Sequence, residues 1–156
     1  MAVDNTPKRT PRKPSKFMNQ VMAFLLHSPL QGPLGSQLVL LTFTGRKSGK
    51  TYTTPLGYTK RGDTVVLFTD HAWYKNLLEH PSVTVRLQGK ELKGNAEVTH
   101  DDKELIATEL TAFVQERSGA ARAYNVTLDA SKRPDPASVQ QAAQLFTLIY
   151  VHLIGE

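Results

Sequence analysis

The densest cluster of reactive side chains in this sequence is the segment GRKSGK at residues 45–50. Its two glycines permit a tight turn whose backbone N–H groups point at one acceptor, and it also carries three cations and a hydroxyl. This composition is typical of a cradle for a phosphate or a carboxylate. A charged hairpin loop exposed to solvent is an equally open interpretation of the composition alone.

A second candidate is the segment WYKNL at residues 73–77, in the first turns of a short helix predicted for residues 72–79 with Asp70 as its cap. Free N–H groups at a helix start favour an anion. The only tryptophan of the chain lies here beside a tyrosine, and such an aromatic pair is suited to stacking on a flat heterocycle. The alternative is that Trp73 and Leu77 belong to the core face of the helix.

Several classes of chemistry are excluded by what the sequence lacks. There is no cysteine, which removes disulfides, thiolate catalysis and metal sites that need sulfur. The five histidines are scattered without metal-ligand spacing, and no hydrolase, phosphate-loop or dinucleotide-binding motif occurs. We therefore expect the chemistry to belong to a bound cofactor.

The positive charge of the chain is concentrated at its amino terminus. Of the net charge of +5, residues 1–16 carry five cations against one aspartate, or 5 − 1 = +4. The remaining residues are therefore close to neutral, and the basic character is weak evidence for nucleic-acid binding. We predict no nucleic-acid partner.

Alternating and apolar runs predict the elements that must position these residues. Strands are expected at Leu38–Thr44, residues 51–59, Thr64–Thr69, around Val83 to Leu87, around Leu92 to Val98, and at residues 145–154. Six strands joined by short antiparallel turns predict a mainly β fold, a small closed or half-closed barrel with flanking helices. One domain is expected over residues 16–156.

Further along the chain, the sequence predicts one longer helix followed by an irregular stretch. Asp101 is predicted to open a longer helix with Glu104 as its capping partner, and its apolar face is formed by Ile106, Leu110, Phe113 and Val114. Residues 118–136 are predicted to be irregular because they carry a glycine and two prolines.

The amino-terminal segment predicts an arm followed by a helix. Residues 1–15 are proline-containing, basic and nearly free of apolar side chains, so we expect a mobile arm. Residues 17–26 have the apolar spacing of an amphipathic helix capped by Ser15. This helix either covers one mouth of the barrel or contacts an anionic membrane surface together with the arm. No apolar run is long enough to span a membrane, and a cytoplasmic location is expected.

Two runs of the sequence, LLTFTGRKSGKTYTTPLGY and WYKNLLEHPSVTV, resemble the deazaflavin (coenzyme F-420)-dependent nitroreductase family. That family belongs to the split β-barrel flavin-binding superfamily. The similarity extends from about Leu38 to Val98 and depends on a G-R-K-[ST]-G turn followed by T-x-P-L, and on W-Y-x-N-L-x-x-x-P.

The resemblance implies a cofactor site in three parts. The basic turn would hold the phosphate or acidic tail of coenzyme F-420, the T-x-P-L segment would lie along the ring or its linker, and the W-Y-x-N-L segment would lie at the phosphate end. The predicted cofactor-binding residues are Arg46, Lys47, Ser48, Gly49, Lys50, Thr54, Pro55, Leu56, Trp73, Tyr74 and Asn76.

The resemblance also implies an activity, the transfer of a hydride from the reduced deazaflavin to a quinone, a nitro compound or an activated alkene. Tyr124 is the candidate proton donor. Membrane contact through residues 1–28 and a homodimer are further implications.

Three alternatives stay open at this point. FMN suits the basic turn nearly as well as the deazaflavin does. A second alternative is that the protein is a non-catalytic member of the same superfamily that binds a flavin, haem or lipid. A third class is a basic adaptor for nucleic acid or membrane that uses residues 7–16.

Overall fold

The computed structural model describes residues 38–154 of the chain. The predictions of an arm at residues 1–15 and a helix at residues 17–26 lie outside the described residues. Within residues 38–154, no helix is long and apolar enough to cross a membrane.

In the part of the chain that the structure describes, seven antiparallel strands form one sheet in the order β2-β1-β5-β6-β7-β4-β3. Their bounds are Leu38–Thr44 for β1, Thr51–Gly57 for β2, Thr59–Arg61 for β3, Thr64–Thr69 for β4, Ser82–Leu87 for β5, Lys90–Thr99 for β6 and Thr147–Leu153 for β7. The edge strands β2 and β3 are separated in sequence by Tyr58 alone, so the sheet must curl until its two edges approach each other there. The result is the predicted half-closed barrel.

The single strand predicted for residues 51–59 was wrong, and the correction raises the strand count from six to seven. Strand β2 pairs with β1 as far as Gly57, which lies opposite Leu38. The chain then crosses to the other edge, where Thr59 pairs with Val66 of β4. The break therefore follows from a change of partner strand rather than from local sequence.

Between residues 38 and 154, three α-helices and two 3₁₀ segments accompany the sheet. They are the first 3₁₀ turn Ala72–Tyr74, α1 at Lys75–Glu79, α2 at Lys103–Glu116, the second 3₁₀ segment Ser118–Tyr124 and α3 at Pro136–Leu145. Helix α2 buries the predicted face of Ile106, Leu110, Phe113 and Val114.

Four local predictions about the helices and the last strand are corrected. The helix at residues 72–79 begins as a 3₁₀ turn, and Asp70 is not its cap, because His71 holds that position without a side-chain bond. The cap of α2 is Asp102, one residue after the predicted Asp101, and its carboxylate accepts from the Leu105 N–H. The stretch of residues 118–136 contains a 3₁₀ segment and ends at the start of α3. Residue 145 ends α3, and the last strand starts two residues later.

The two faces of the sheet support two separate cores. In β4, Val65 and Leu67 point into the barrel, whereas Val66 and Phe68 point toward the helices. Alternation of side chains along a strand explains how one strand serves both cores. The barrel core includes Leu77 of α1, and the helical core is built from α2, the second 3₁₀ segment and α3.

Candidate functional site

The basic loop, residues 45–50, connects β1 and β2 at one end of the barrel. Its first N–H, that of Gly45, donates to the Lys50 carbonyl at 2.7 Å, and the Gly49 N–H donates to the Gly45 carbonyl at 2.9 Å. Gly49 has a φ of +68°, a backbone conformation that glycine adopts without strain. These bonds give the loop a defined shape while the side chains of residues 47–50 stay exposed.

Two further amides of the basic loop donate within the protein. The Lys50 N–H donates to Ser48 Oγ at 3.2 Å, and the Arg46 N–H donates to Asn76 Oδ1 at 2.9 Å. Together with Gly45 and Gly49, four of the six loop amides therefore have partners, contrary to the prediction that they converge on one external acceptor. An anion would therefore be bound mainly by the cationic side chains of the loop rather than by its backbone amides.

Asn76 joins the basic loop to the aromatic segment, residues 72–76. While its Oδ1 accepts from the Arg46 N–H, its Nδ2 donates to the Trp73 carbonyl at 2.8 Å. One amide side chain thus bridges two features that lie 30 residues apart in sequence. The structure therefore brings the two sequence motifs into contact.

A column of three aromatic rings lies beside the basic loop. Phe43 stacks between Tyr52, at a centroid distance of 5.8 Å, and Trp73, at 4.9 Å. Phe43 is buried, whereas the Tyr52 side of the column is 43% exposed. A Cβ at Gly45 would lie 2.7 Å from Tyr52 Cε2, so glycine is required for this packing. Phe43 and Tyr52 were not among the predicted site residues, although the hairpin register places them opposite each other.

Trp73 and Tyr74 lie against different partners and do not share one stacking platform. Tyr74 stacks on the imidazole of His100 with a centroid distance of 5.0 Å and an interplanar angle of 18°. His100 Nδ1 in turn lies 2.8 Å from the hydroxyl oxygen of Thr147. His100 was also missed, since it was treated only as one of five scattered histidines.

The three predicted residues of β2 divide between the two faces of the sheet. Thr54 and Leu56 lie opposite Leu41 and Val39, which point into the barrel, whereas Pro55 lies on the other face. Thr54 is buried and Leu56 packs against the barrel core. Thr54 and Leu56, but not Pro55, therefore face the barrel interior.

Tyr124 lies in the helical core, among the rings of Phe68, Phe113 and Phe146 at centroid distances of 5.9, 5.1 and 5.3 Å. Burial, with a further contribution from the charge of Asp70, raises the pKa of Tyr124 to about 12. The phenol therefore keeps its proton at neutral pH. Its ring packs on the face of the sheet opposite to the barrel core.

Among residues 38–154, no group of three or more His, Asp or Glu side chains is arranged to hold a metal ion. The groups gathered at this end of the barrel are cations, hydroxyls, amides and aromatic rings. Such a set suits a ligand that combines an anionic part with a planar ring.

The fold is the half-closed split barrel that is also found in FMN-binding proteins of known structure. A pyridoxamine 5'-phosphate oxidase-related, FMN-binding protein from Nostoc punctiforme superposes with a TM-score of 0.56 at 15% identity, covering 86% of this chain and 79% of that one. A protein of unknown function from Agrobacterium tumefaciens gives 0.54 at 16% identity over 77% of this chain, which spans about half (49%) of that protein. A structure described as an F-420 reductase gives 0.50 at 16%, covering 77% and 88%. These similarities show the fold.

Family membership comes from the sequence. Residues 22–134 match the family described as F-420H(2)-dependent quinone reductase, and the chain belongs to that family. No curated protein matches the chain. The protein is therefore an oxidoreductase of a family that uses reduced coenzyme F-420, which confirms the predicted family and cofactor.

Proposed function

We propose that this protein transfers a hydride from reduced coenzyme F-420 to a quinone, with nitro compounds and activated alkenes as further acceptor classes. The observation that carries the proposal is the bond between the Arg46 N–H and Asn76 Oδ1. It holds the two motifs that carry the family resemblance, the basic loop and the aromatic segment, against each other.

The side chains of the basic loop fit the anionic part of the cofactor. Lys47 and Lys50 are exposed, Arg46 is half-buried, and Ser48 adds a hydroxyl. Charged hydrogen bonds from such donors to phosphate or carboxylate are about twice as strong as neutral ones. We propose that these residues, with Gly49 shaping the turn, hold the phosphate or the acidic tail.

The planar part of the cofactor fits the aromatic groups beside the loop. The exposed side of Tyr52 ends the ring column, and Thr54 and Leu56 continue the same face of β2 toward the barrel interior. We propose that this strip lines the ring and its linker, and that Trp73 and Tyr74 of the aromatic segment lie at the phosphate end. Pro55 contributes through the shape of β2 rather than from this face.

The bound cofactor supplies the hydride. The contribution of the chain is to hold the ring against the acceptor and to exclude water, so no side chain is required as a nucleophile. In this proposal the proton for the reduced acceptor comes from solvent, because Tyr124 is buried in the helical core on the other face of the sheet.

Equilibrium titration of the purified protein with coenzyme F-420 and, separately, with FMN tests the proposal, with fluorescence as the signal. We expect tighter binding of the deazaflavin and quinone reduction that depends on its reduced form. A preference for FMN would keep the site and change the electron donor. Binding of neither would overturn the proposal.

Substitution of the loop cations tests the site itself. We expect Arg46→Ala and Lys47→Ala each to weaken cofactor affinity by about 1–3 kcal/mol, or roughly 5- to 150-fold, because each removes a charged contact. The unfolding temperature should change little, since the Lys47 side chain is exposed and the Arg46 main-chain bond is retained. The matched control is Lys90→Ala, at the start of β6. Unchanged affinity in both loop variants would contradict the assignment.

We further propose a homodimer and a peripheral contact with anionic membranes through residues 1–28. Sedimentation of the full chain alone and with vesicles rich in anionic lipid tests both. A monomeric mass would contradict the first proposal, and a chain that stays in solution with the vesicles would contradict the second.

A further inference from the structure

Tyr74 is held by a contact that is separate from the ring column. Trp73 packs on Phe43 of β1, whereas the Tyr74 ring stacks nearly parallel on His100, the residue that follows β6. The first 3₁₀ turn is therefore attached to β1 at one residue and to the end of β6 at the next.

His100 itself is restrained by the sheet. Its Nδ1 lies 2.8 Å from Thr147 Oγ1, and Thr147 is only 2% exposed. Thr147 is the first residue of β7 and pairs with Thr69 at the end of β4, so the position of its hydroxyl is set by a strand ladder. A ring stack on one face and a hydrogen bond at Nδ1 together define the plane of the imidazole.

The aromatic segment depends on contacts of this kind. Its 3₁₀ turn contains three residues, and the residue before it, His71, provides no side-chain cap. A turn this short has little stability of its own, so tertiary contacts determine its position. Asn76, which bonds the basic loop, lies two residues after Tyr74. A displacement of the Tyr74 ring would therefore shift Asn76 and its hydrogen bond to the basic loop.

We propose that His100 is a positioning residue of the cofactor site. Through its stack on Tyr74 and its bond to Thr147, it holds the aromatic segment in the arrangement in which Asn76 meets the basic loop. His100 is not placed against the reacting atoms, and its effect is on cofactor affinity. The inference rests on the proposed function, because it assigns His100 to the site that function uses.

The chain contains a matched control with the same chemistry elsewhere. His152 Nδ1 lies 3.3 Å from the Thr64 hydroxyl, and its Nε2 lies 2.7 Å from Glu97. Thr64 and Thr69 are the two ends of β4, five residues apart, so this second histidine–threonine pair is about 17 Å from the first. A general effect of losing a histidine–threonine bond should appear equally at both places.

The experiment compares His100→Ala, His100→Phe and His152→Ala in the full chain. Trp73 is the only tryptophan, so its indole N–H gives one NMR resonance that reports on the aromatic segment without any ligand. Coenzyme F-420 affinity and the turnover rate at saturating cofactor are measured on the same proteins. Thermal unfolding shows whether each variant is folded.

We expect His100→Ala to shift the Trp73 indole resonance and to weaken F-420 binding at least fivefold, with turnover at saturation within twofold of the parent. His100→Phe keeps a flat ring against Tyr74 but loses the bond to Thr147, so its affinity should be intermediate. His152→Ala should leave both the resonance and the affinity unchanged.

Affinity within twofold of the parent for His100→Ala, or an equal loss in His152→Ala, would overturn the inference and leave the proposed function intact. A parent protein that binds no F-420 would instead overturn the proposed function and this inference with it. Should His100→Ala fail to fold, Thr147→Val decides the question. It removes the hydroxyl at nearly constant shape, and we expect at least a threefold loss of affinity, with unchanged affinity contradicting the proposal.

Discussion

The hydroxyl groups of Ser48 and Tyr52 lie 3.1 Å apart, and Ser48 Oγ also accepts from the Lys50 N–H. The serine therefore already takes part in the structure of the basic loop. The free cationic side chains, Lys47 and Lys50, are left as the strongest partners for an anion. Within this one loop, Ser48 therefore maintains the backbone shape, and the neighbouring lysines are available to bind an anion.

Tyr124 allows a test of its role at the level of one hydroxyl. Its ring packs among three phenylalanines, so we expect Tyr124→Phe to retain turnover within about twofold, with the proton coming from solvent. Tyr124→Ala should lower the free energy of unfolding by about 3 kcal/mol or more, since it leaves a cavity in the helical core. Steady-state turnover and denaturant unfolding measure the two effects. A tenfold loss of turnover in Tyr124→Phe would identify Tyr124 as the proton donor.

Helix α2 is attached to the sheet by a polar contact as well as by its apolar face. Glu109, buried at 7% exposure, pairs with Arg61 of β3 and accepts a hydrogen bond from the Tyr150 hydroxyl of β7 at 2.8 Å. One carboxylate thus joins the helix to the edge strand β3 and to the strand beneath it. A buried carboxylate is tolerated when it is paired with a cation and a hydrogen-bond donor, as Glu109 is here through its Oε2.

This contact predicts a fall in stability at alkaline pH. Burial, followed by the hydrogen bond to Glu109, raises the pKa of Tyr150 to about 12 in the folded protein. The unfolded chain releases the phenolic proton near pH 10, so stability is lost as the pH rises from about 10 to 12. Because Tyr124 shifts in the same direction, we expect Tyr150→Phe to flatten only part of the decline in unfolding temperature. Equal slopes in the parent and Tyr150→Phe would contradict the assignment.

At the scale of the whole molecule, the sheet carries two cores on opposite faces, and only the barrel core lies under the candidate site. The helical core contains Leu110, and the barrel core contains Leu77, which lies directly after Asn76 in α1. Both leucines are at most 1% exposed. A leucine-to-alanine substitution can therefore be made both in the core beneath the candidate site and in the core on the other face.

We expect Leu77→Ala and Leu110→Ala each to lower the free energy of unfolding by about 2–5 kcal/mol. Only Leu77→Ala should also weaken F-420 binding, because its cavity lies beneath the residue that holds the basic loop. Titration at low temperature, where both variants stay folded, separates the two effects. An equal loss of affinity in Leu110→Ala would show that the site depends on global stability instead.

The sequence by itself determined the features that local chemistry governs. The strands Leu38–Thr44 and Thr64–Thr69, the glycine-bracketed basic loop and the apolar face of α2 were all predicted, because apolar runs, periodicity and turn residues act within a few positions. Helix α3 was missed although Asp135 and Pro136 are a typical helix start, since the same proline also suggests a loop. The two cofactor motifs were likewise visible as residue runs.

Tertiary structure alone decided which residues meet. Phe43 reaches Trp73, Tyr74 reaches His100, and Arg46 reaches Asn76 only because the curled sheet brings strands distant in sequence to one end of the barrel. The break between β2 and β3 has the same origin, because a strand continues only as long as it has a partner. The hydrophobic periodicity of the sequence contains no information on these long-range contacts. They are established by backbone pairing and side-chain packing across the sheet.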